Sequence, residues 1–150
     1  MGEMQQISQS ELEVMNIIWR ENGMISLAPL MEEFGRIGKT WKTNTVVTFL
    51  ARLVEKGFLS IEKQGRNNIY ISRVSERDYL ASQTKNFLRK IYAGDAKELV
   101  ASLLRHEYLT AEDVEELTEF WKTERDAHKG SNKTKRRVSG GGDSEGGDAR

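Results

Sequence analysis

The side chains able to do covalent or metal chemistry are few in these 150 residues, which contain no cysteine and only two histidines, His106 and His128. The absence of cysteine removes disulfides, thiolate metal sites and cysteine nucleophiles together, and it fits a reducing compartment. His106 has no second histidine at ligand spacing and no glycine-rich phosphate loop to work with. The acids between Glu107 and Glu119 are the remaining candidates for paired carboxylates. They follow a helix-start signal, however, and lie mostly opposite Val114, Leu117 and Trp121, as a solvated face does. No catalytic residues, metal ligands or cofactors are expected, and the chain is not read as an enzyme.

A different chemistry is concentrated between Trp41 and Arg73. The run WKTNTVVTFLARLVEKG places Val46, Phe49, Leu50 and Leu53 at helical spacing and leaves Lys42, Asn44, Thr45, Thr48 and Arg52 off that apolar stripe. The free face is short-chained, polar and cationic, suited to phosphates and base edges. Gly57 stops the helix. Two β-rich runs follow, Phe58 to Lys63 and Asn68 to Arg73, joined by Gln64, Gly65, Arg66 and Asn67. A helix followed by a hairpin with a basic tip is the arrangement in which a winged helix-turn-helix meets DNA.

The net charge of zero conceals a segmental asymmetry. Residues 1–38 carry two basic and six acidic side chains, net −4, whereas residues 39–73 carry seven and two, net +5. Residues 74–126 return to −4 and residues 127–150 to +3. Local potential steers a polyanion, so the positive helix and hairpin keep DNA binding open.

The elements that must position this face are legible upstream. Ser8 and Glu11 form a capping-box pattern opening a helix with Leu12, Met15, Ile18 and Trp19 on one side, ending near Asn22 and Gly23. Ser26 is a candidate second cap, with Pro29 in the first turn and Leu27, Leu30, Met31 and Phe34 apolar. Gly35 and Gly38 break the chain before Thr40, a candidate cap for the third helix. Leu12, Met15, Leu30, Phe34, Val46, Leu50 and Leu53 are expected to share one core.

After Val74 the pattern becomes helical throughout. Ser75 opens a helix carrying Tyr79, Leu80, Phe87, Leu88, Ile91 and Tyr92 and closing at Gly94; Asp95 caps the next, with Leu99, Val100, Leu103 and Leu104. Thr110 with Asp113 starts a third, with Val114, Leu117 and Trp121. So many large apolar residues in roughly 50 positions are hard to bury in one small unit. A second copy of the chain would cover them as a two-fold dimer, and a bundle packed on its own winged domain is the alternative. From Ala127 onward Gly, Ser, Asp and Lys dominate, a composition expected to stay disordered. Lys133, Lys135, Arg136 and Arg137 there suit either a solubilising tail or DNA phosphates.

The expected fold class is mainly α: a winged helix-turn-helix over 1–74, a three-helix dimerisation region over 75–126 and a disordered tail over 127–150. No run reaches the 18 apolar residues of a membrane span, and MGEMQQIS has neither a basic nor an apolar leader, so a cytoplasmic location is expected.

The segments ISQSELEVMNIIW, WKTNTVVTFLARLVEKGFL, EKQGRNNIYI and FLRKIYAGDAKELVASLL, in this order, resemble the BlaI/MecI/CopY family of bacterial penicillinase repressors over residues 7–121. The resemblance implies a dimeric repressor binding a palindromic operator in double-stranded DNA, in many members controlling β-lactam resistance. It implies a recognition helix beginning at Trp41 and presenting Lys42, Thr43, Asn44, Thr45, Thr48 and Arg52. Two departures stand out: Lys42-Thr43 replaces the Ser-Pro that usually follows the tryptophan, and Val47 occupies a position often held by Lys or Arg. The copper-responsive branch carries a C-terminal cysteine cluster, which this chain lacks. In the β-lactam branch a membrane sensor protease, encoded nearby, triggers cleavage of an Asn-Phe bond; the matching pair here is Ser102-Leu103. The alternative function is a winged-helix protein-interaction module without DNA binding, which would favour aromatic and aliphatic anchors over the polar face seen here.

Overall fold

The computed structural model describes residues 4–138 and divides the chain into two compact units, Met1–Gly94 and Asp95–Arg150. The first unit starts with α1 (Gln9–Arg20), where the predicted capping box is complete: the Ser8 hydroxyl accepts from the Glu11 amide at 3.1 Å and the Glu11 carboxylate accepts from the Ser8 amide at 3.2 Å. Val14, Met15, Ile17 and Ile18 are buried and Leu12 is half-buried, so the core stripe includes Val14 and Ile17 as well as the expected Met15 and Ile18.

Gly23, at φ +88°, turns the chain into a strand absent from the sequence reading, β1 (Met24–Ser26). It is followed directly by α2 (Leu27–Arg36), which buries Leu30 and Phe34. Ser26 occupies the N-cap as expected, but its hydroxyl makes no capping hydrogen bond. The third helix, α3 (Thr43–Glu55), buries Val46, Leu50 and Leu53, all fully enclosed. Truncating Leu50 to alanine would cost about 2–5 kcal/mol, for lost transfer energy and the cavity left behind.

Beyond Gly57 the chain forms β2 (Leu59–Gln64) and β3 (Asn67–Ser72), a hairpin whose loop is only Gly65 and Arg66 rather than the four residues expected. Gly65 sits at φ +62°, which glycine supplies at the first position of a tight two-residue loop. β1 pairs antiparallel with β3, giving the sheet order β1-β3-β2.

The first unit extends past Val74, where the sequence had placed a boundary, and takes in α4 (Glu76–Tyr92). Tyr79 explains this: it is buried, its ring 5.6 Å from that of Trp19 and 6.0 Å from that of Phe58. The Trp19 indole N–H donates to the Val74 carbonyl at 2.9 Å, tying the start of this segment to α1.

The second unit holds α5 (Ala96–Arg105) and α6 (Ala111–Val138). Asp95 caps α5 through the Glu98 amide, and Thr110 and Asp113 exchange capping hydrogen bonds at the start of α6, as predicted. Helix α6 continues through 127–138, into the stretch expected to be disordered. Between Ala127 and Val138 there is no proline, and the straight-chain Lys and Arg residues cost little in a helix. The remaining tail, 139–150, lies outside the described residues.

Candidate nucleic-acid interface

The outer face of α3 is fixed in position by what precedes it. Trp41 does not belong to the helix; its ring packs edge-on against Phe34, 5.0 Å between centroids, and against Phe49 at 5.2 Å. Lys39 covers the same ring, its Nζ 4.9 Å from the centroid, and also lies 3.1 Å from the Glu13 carboxylate. This aromatic cluster joins α2, the connecting segment and α3, and delays the helix start to Thr43. Lys42, rather than Thr40, is the N-cap.

Lys42 has no side-chain oxygen to cap α3, and no acid occupies the first turn. The first amides of the helix therefore remain available to an anion, beside the Lys42 ammonium. Thr43, Asn44, Thr48 and Arg52 are exposed, whereas Thr45 is half-buried. The Thr48 hydroxyl donates to the Asn44 carbonyl at 3.0 Å, so only its lone pairs remain for another partner. Val47 and Ala51 complete the open face between the polar residues. The core-stripe reading passed over both, although their i, i+4 spacing from Thr43 already placed them there.

The hairpin adds cations. Arg66 stands exposed in the loop and Lys63 exposed on β2. Of the seven cations between residues 39 and 73, Lys39 pairs with Glu13 and Lys56 with Glu11. Among the described residues Lys42, Arg52, Lys63, Arg66 and Arg73 have no acidic partner, and all five are exposed. The positive charge counted in the sequence is thus mostly uncompensated locally.

The residues expected to form a dimer contact are divided between the two units. On α4, Phe87 and Ile91 are exposed and Leu88 is half-buried. On α5, Val100 and Leu104 are exposed while Leu99, Ser102 and Leu103 are half-buried; on α6, Leu117, Phe120 and Trp121 are exposed. Helix α5 buries none of its residues fully. Among the described residues no group of three His, Cys, Asp or Glu side chains is placed to hold a metal ion.

Three packed helices, an open polar face on the third and a hairpin immediately after it define the winged helix-turn-helix class. A sequence profile described as penicillinase repressor matches residues 7–123, and the chain belongs to that family. It is 34% identical to a penicillinase repressor of Bacillus licheniformis over 78% of this chain and 90% of the relative. It is 37% identical to the methicillin resistance regulatory protein MecI of Staphylococcus aureus over 75% and 89% respectively. A solution structure of the DNA binding domain of the repressor BlaI shares 38% identity over 53% of this chain and 94% of that one, with a TM-score of 0.45.

Proposed function

We propose that the chain is a sequence-specific DNA-binding transcriptional repressor that acts in the cytoplasm as a homodimer on a palindromic operator, without catalytic activity. Lys42, Thr43, Asn44, Thr45, Thr48 and Arg52 face the major groove, and Arg66 reaches the adjoining backbone or minor groove. The observation that carries this reading is the outer face of α3, which combines an uncapped, acid-free N-terminus with polar side chains and unpaired cations. The family supports it, since the relatives are named as repressors of penicillinase and regulators of methicillin resistance.

Homodimerisation is supported by the apolar side chains that the second unit leaves open, Val100 and Leu104 on α5 and Leu117 and Trp121 on α6. Exposed apolar groups in this density mark an association surface. In this reading the controlled genes serve β-lactam resistance or cell-wall stress, and the position at which a membrane sensor protease encoded nearby would trigger cleavage is Ser102-Leu103, a pair that departs from the family's Asn-Phe. That bond lies inside α5, so cutting it would separate Leu99 and Val100 from Leu103 and Leu104. The test is a footprint on the DNA flanking the protein's own gene. Protection of two inverted half-sites is expected, and uniform or absent protection would reject the reading.

A further inference from the structure

Val47 is an aliphatic side chain on the row Thr43, Val47, Ala51 of α3, beside the polar row Asn44, Thr48, Arg52, and it is 38% exposed. The core-stripe residues Val46 and Leu50 are fully enclosed, whereas Val47 is neither in that core nor among the half-buried side chains packed against it. One turn further, Ala51 is also exposed. Asn44 precedes this pair on the same face and Arg52 follows it, both exposed and both able to make paired hydrogen bonds to a base edge. Val47 and Ala51 have no donor or acceptor. Thr48, beside them, has already committed its hydroxyl proton to the Asn44 carbonyl. The row next to Asn44, Thr48 and Arg52 therefore offers methyl groups beside hydrogen-bonding side chains.

In the major groove one base pair feature answers to that description: the C5 methyl of thymine, which accepts apolar contact and requires no hydrogen bond. A guanine or cytosine edge at the same place would leave its O6, N7 or N4 group facing an aliphatic surface, losing water without replacement. Resting on the DNA-binding reading above, we propose that Val47, with Ala51, is a specificity-determining contact that reads a 5-methylpyrimidine in each operator half-site. The operator then carries an A·T pair next to the positions read by Asn44 and Arg52, and the discrimination there is made by a methyl group.

The experiment uses the full chain and the footprinted operator, with each thymine of a half-site replaced in turn by deoxyuridine, which keeps every hydrogen-bonding group and lacks only the methyl. Removing one buried methyl should weaken binding about fourfold per half-site, or roughly fifteenfold when both half-sites are changed. The loss should occur at one step per half-site and disappear in Val47→Ala. Because Val47 is exposed, the variant keeps its fold, which circular dichroism checks. Parent protein binding all deoxyuridine operators as tightly as thymine overturns the proposal, and so does a Val47→Ala variant that keeps the same thymine preference. Failure to bind the unmodified operator at all would instead overturn the DNA-binding reading on which it rests.

Discussion

The Glu11 carboxylate meets the Lys56 ammonium at 2.7 Å, joining the first turn of α1 to the C-cap of α3. Glu11 is only 1% exposed and at the same time accepts from the Ser8 amide. Burial alone pushes its carboxyl up, but the hydrogen bond from Lys56, the Ser8 amide and the Lys56 charge together hold it below its ordinary value of 4.5. The acid that caps one helix thus anchors the end of the helix whose outer face is proposed to meet DNA.

A carboxyl lowered in the folded state adds stability above its unfolded value and loses it as pH falls through the folded one. Glu11→Gln should therefore destabilise the first unit at pH 7, by about 2–3 kcal/mol, because Lys56 loses its partner in a mostly buried setting but keeps partial access to water. The gap between parent and variant should narrow as pH drops below about 4.5. Urea unfolding at pH 7 and pH 3.5 measures it. A gap of constant size would mean that the pair contributes no charge-dependent stability.

That anchor was only half legible in the sequence. Ser8 and Glu11 announced a local capping box, since its partners are three residues apart, but Lys56 lies 45 residues away and no local pattern links it to Glu11. The same limit explains the other differences. Periodicity identifies which face of α4 carries Tyr79, not that the ring packs on Trp19 and Phe58, so the grouping of α4 with the first unit is not visible in the sequence. Three residues, Met24–Ser26, are too few to show alternation, and β1 is defined by pairing with β3 alone. The outer face of α3 was read almost completely because a single helix sorts its residues by spacing. Its exact start was not, because Trp41 is held by Phe34 and Phe49 outside the helix.

Arg52 and Lys42 should separate into two kinds of contact. Arg52, exposed in the last turn of α3, is assigned to a base edge, and Arg52→Ala should cost about 1–3 kcal/mol of operator affinity and relax one position of the site. Lys42, beside the helix N-terminus, is placed for a phosphate, and Lys42→Ala should weaken all sequences alike. Anisotropy titrations against the operator and a scrambled duplex at fixed salt distinguish them. Unchanged affinity in both variants would move the docking surface off α3.

The two-residue loop at Gly65 and Arg66 carries its cation at the point of the hairpin with no acid beside it. Such a charge contributes affinity by displacing counterions, with little base information. Arg66→Ala should weaken specific and non-specific DNA together and reduce the salt slope by about 1. The plot of log affinity against log salt gives the answer directly, and an unaltered slope would place the loop away from the backbone.

Dimerisation is the control point if the second unit joins two copies, because one two-fold axis would then hold two winged domains on half-sites about one helical turn, roughly 34 Å, apart. Each domain's binding makes the other's nearly intramolecular, so most of the operator affinity belongs to the pair. The choice of substitution matters here. Leu99 and Leu103 are half-buried within the protomer, and charging them would disturb α5 itself, whereas Val100 and Leu104 stand open. Val100→Asp with Leu104→Asp places two unpaired carboxylates in the association surface, where desolvation without partners is strongly unfavourable. Trp121→Asp applies the same test from α6, where that ring is exposed. Sedimentation should show folded monomers for both variants, with operator affinity reduced by orders of magnitude and half-site affinity retained. A variant that remains dimeric would move the interface to other residues, such as Phe87 and Ile91 on α4. A monomer that still binds the full palindrome tightly would show that each winged domain acts alone, and cleavage within α5 could then not release the operator by parting the subunits.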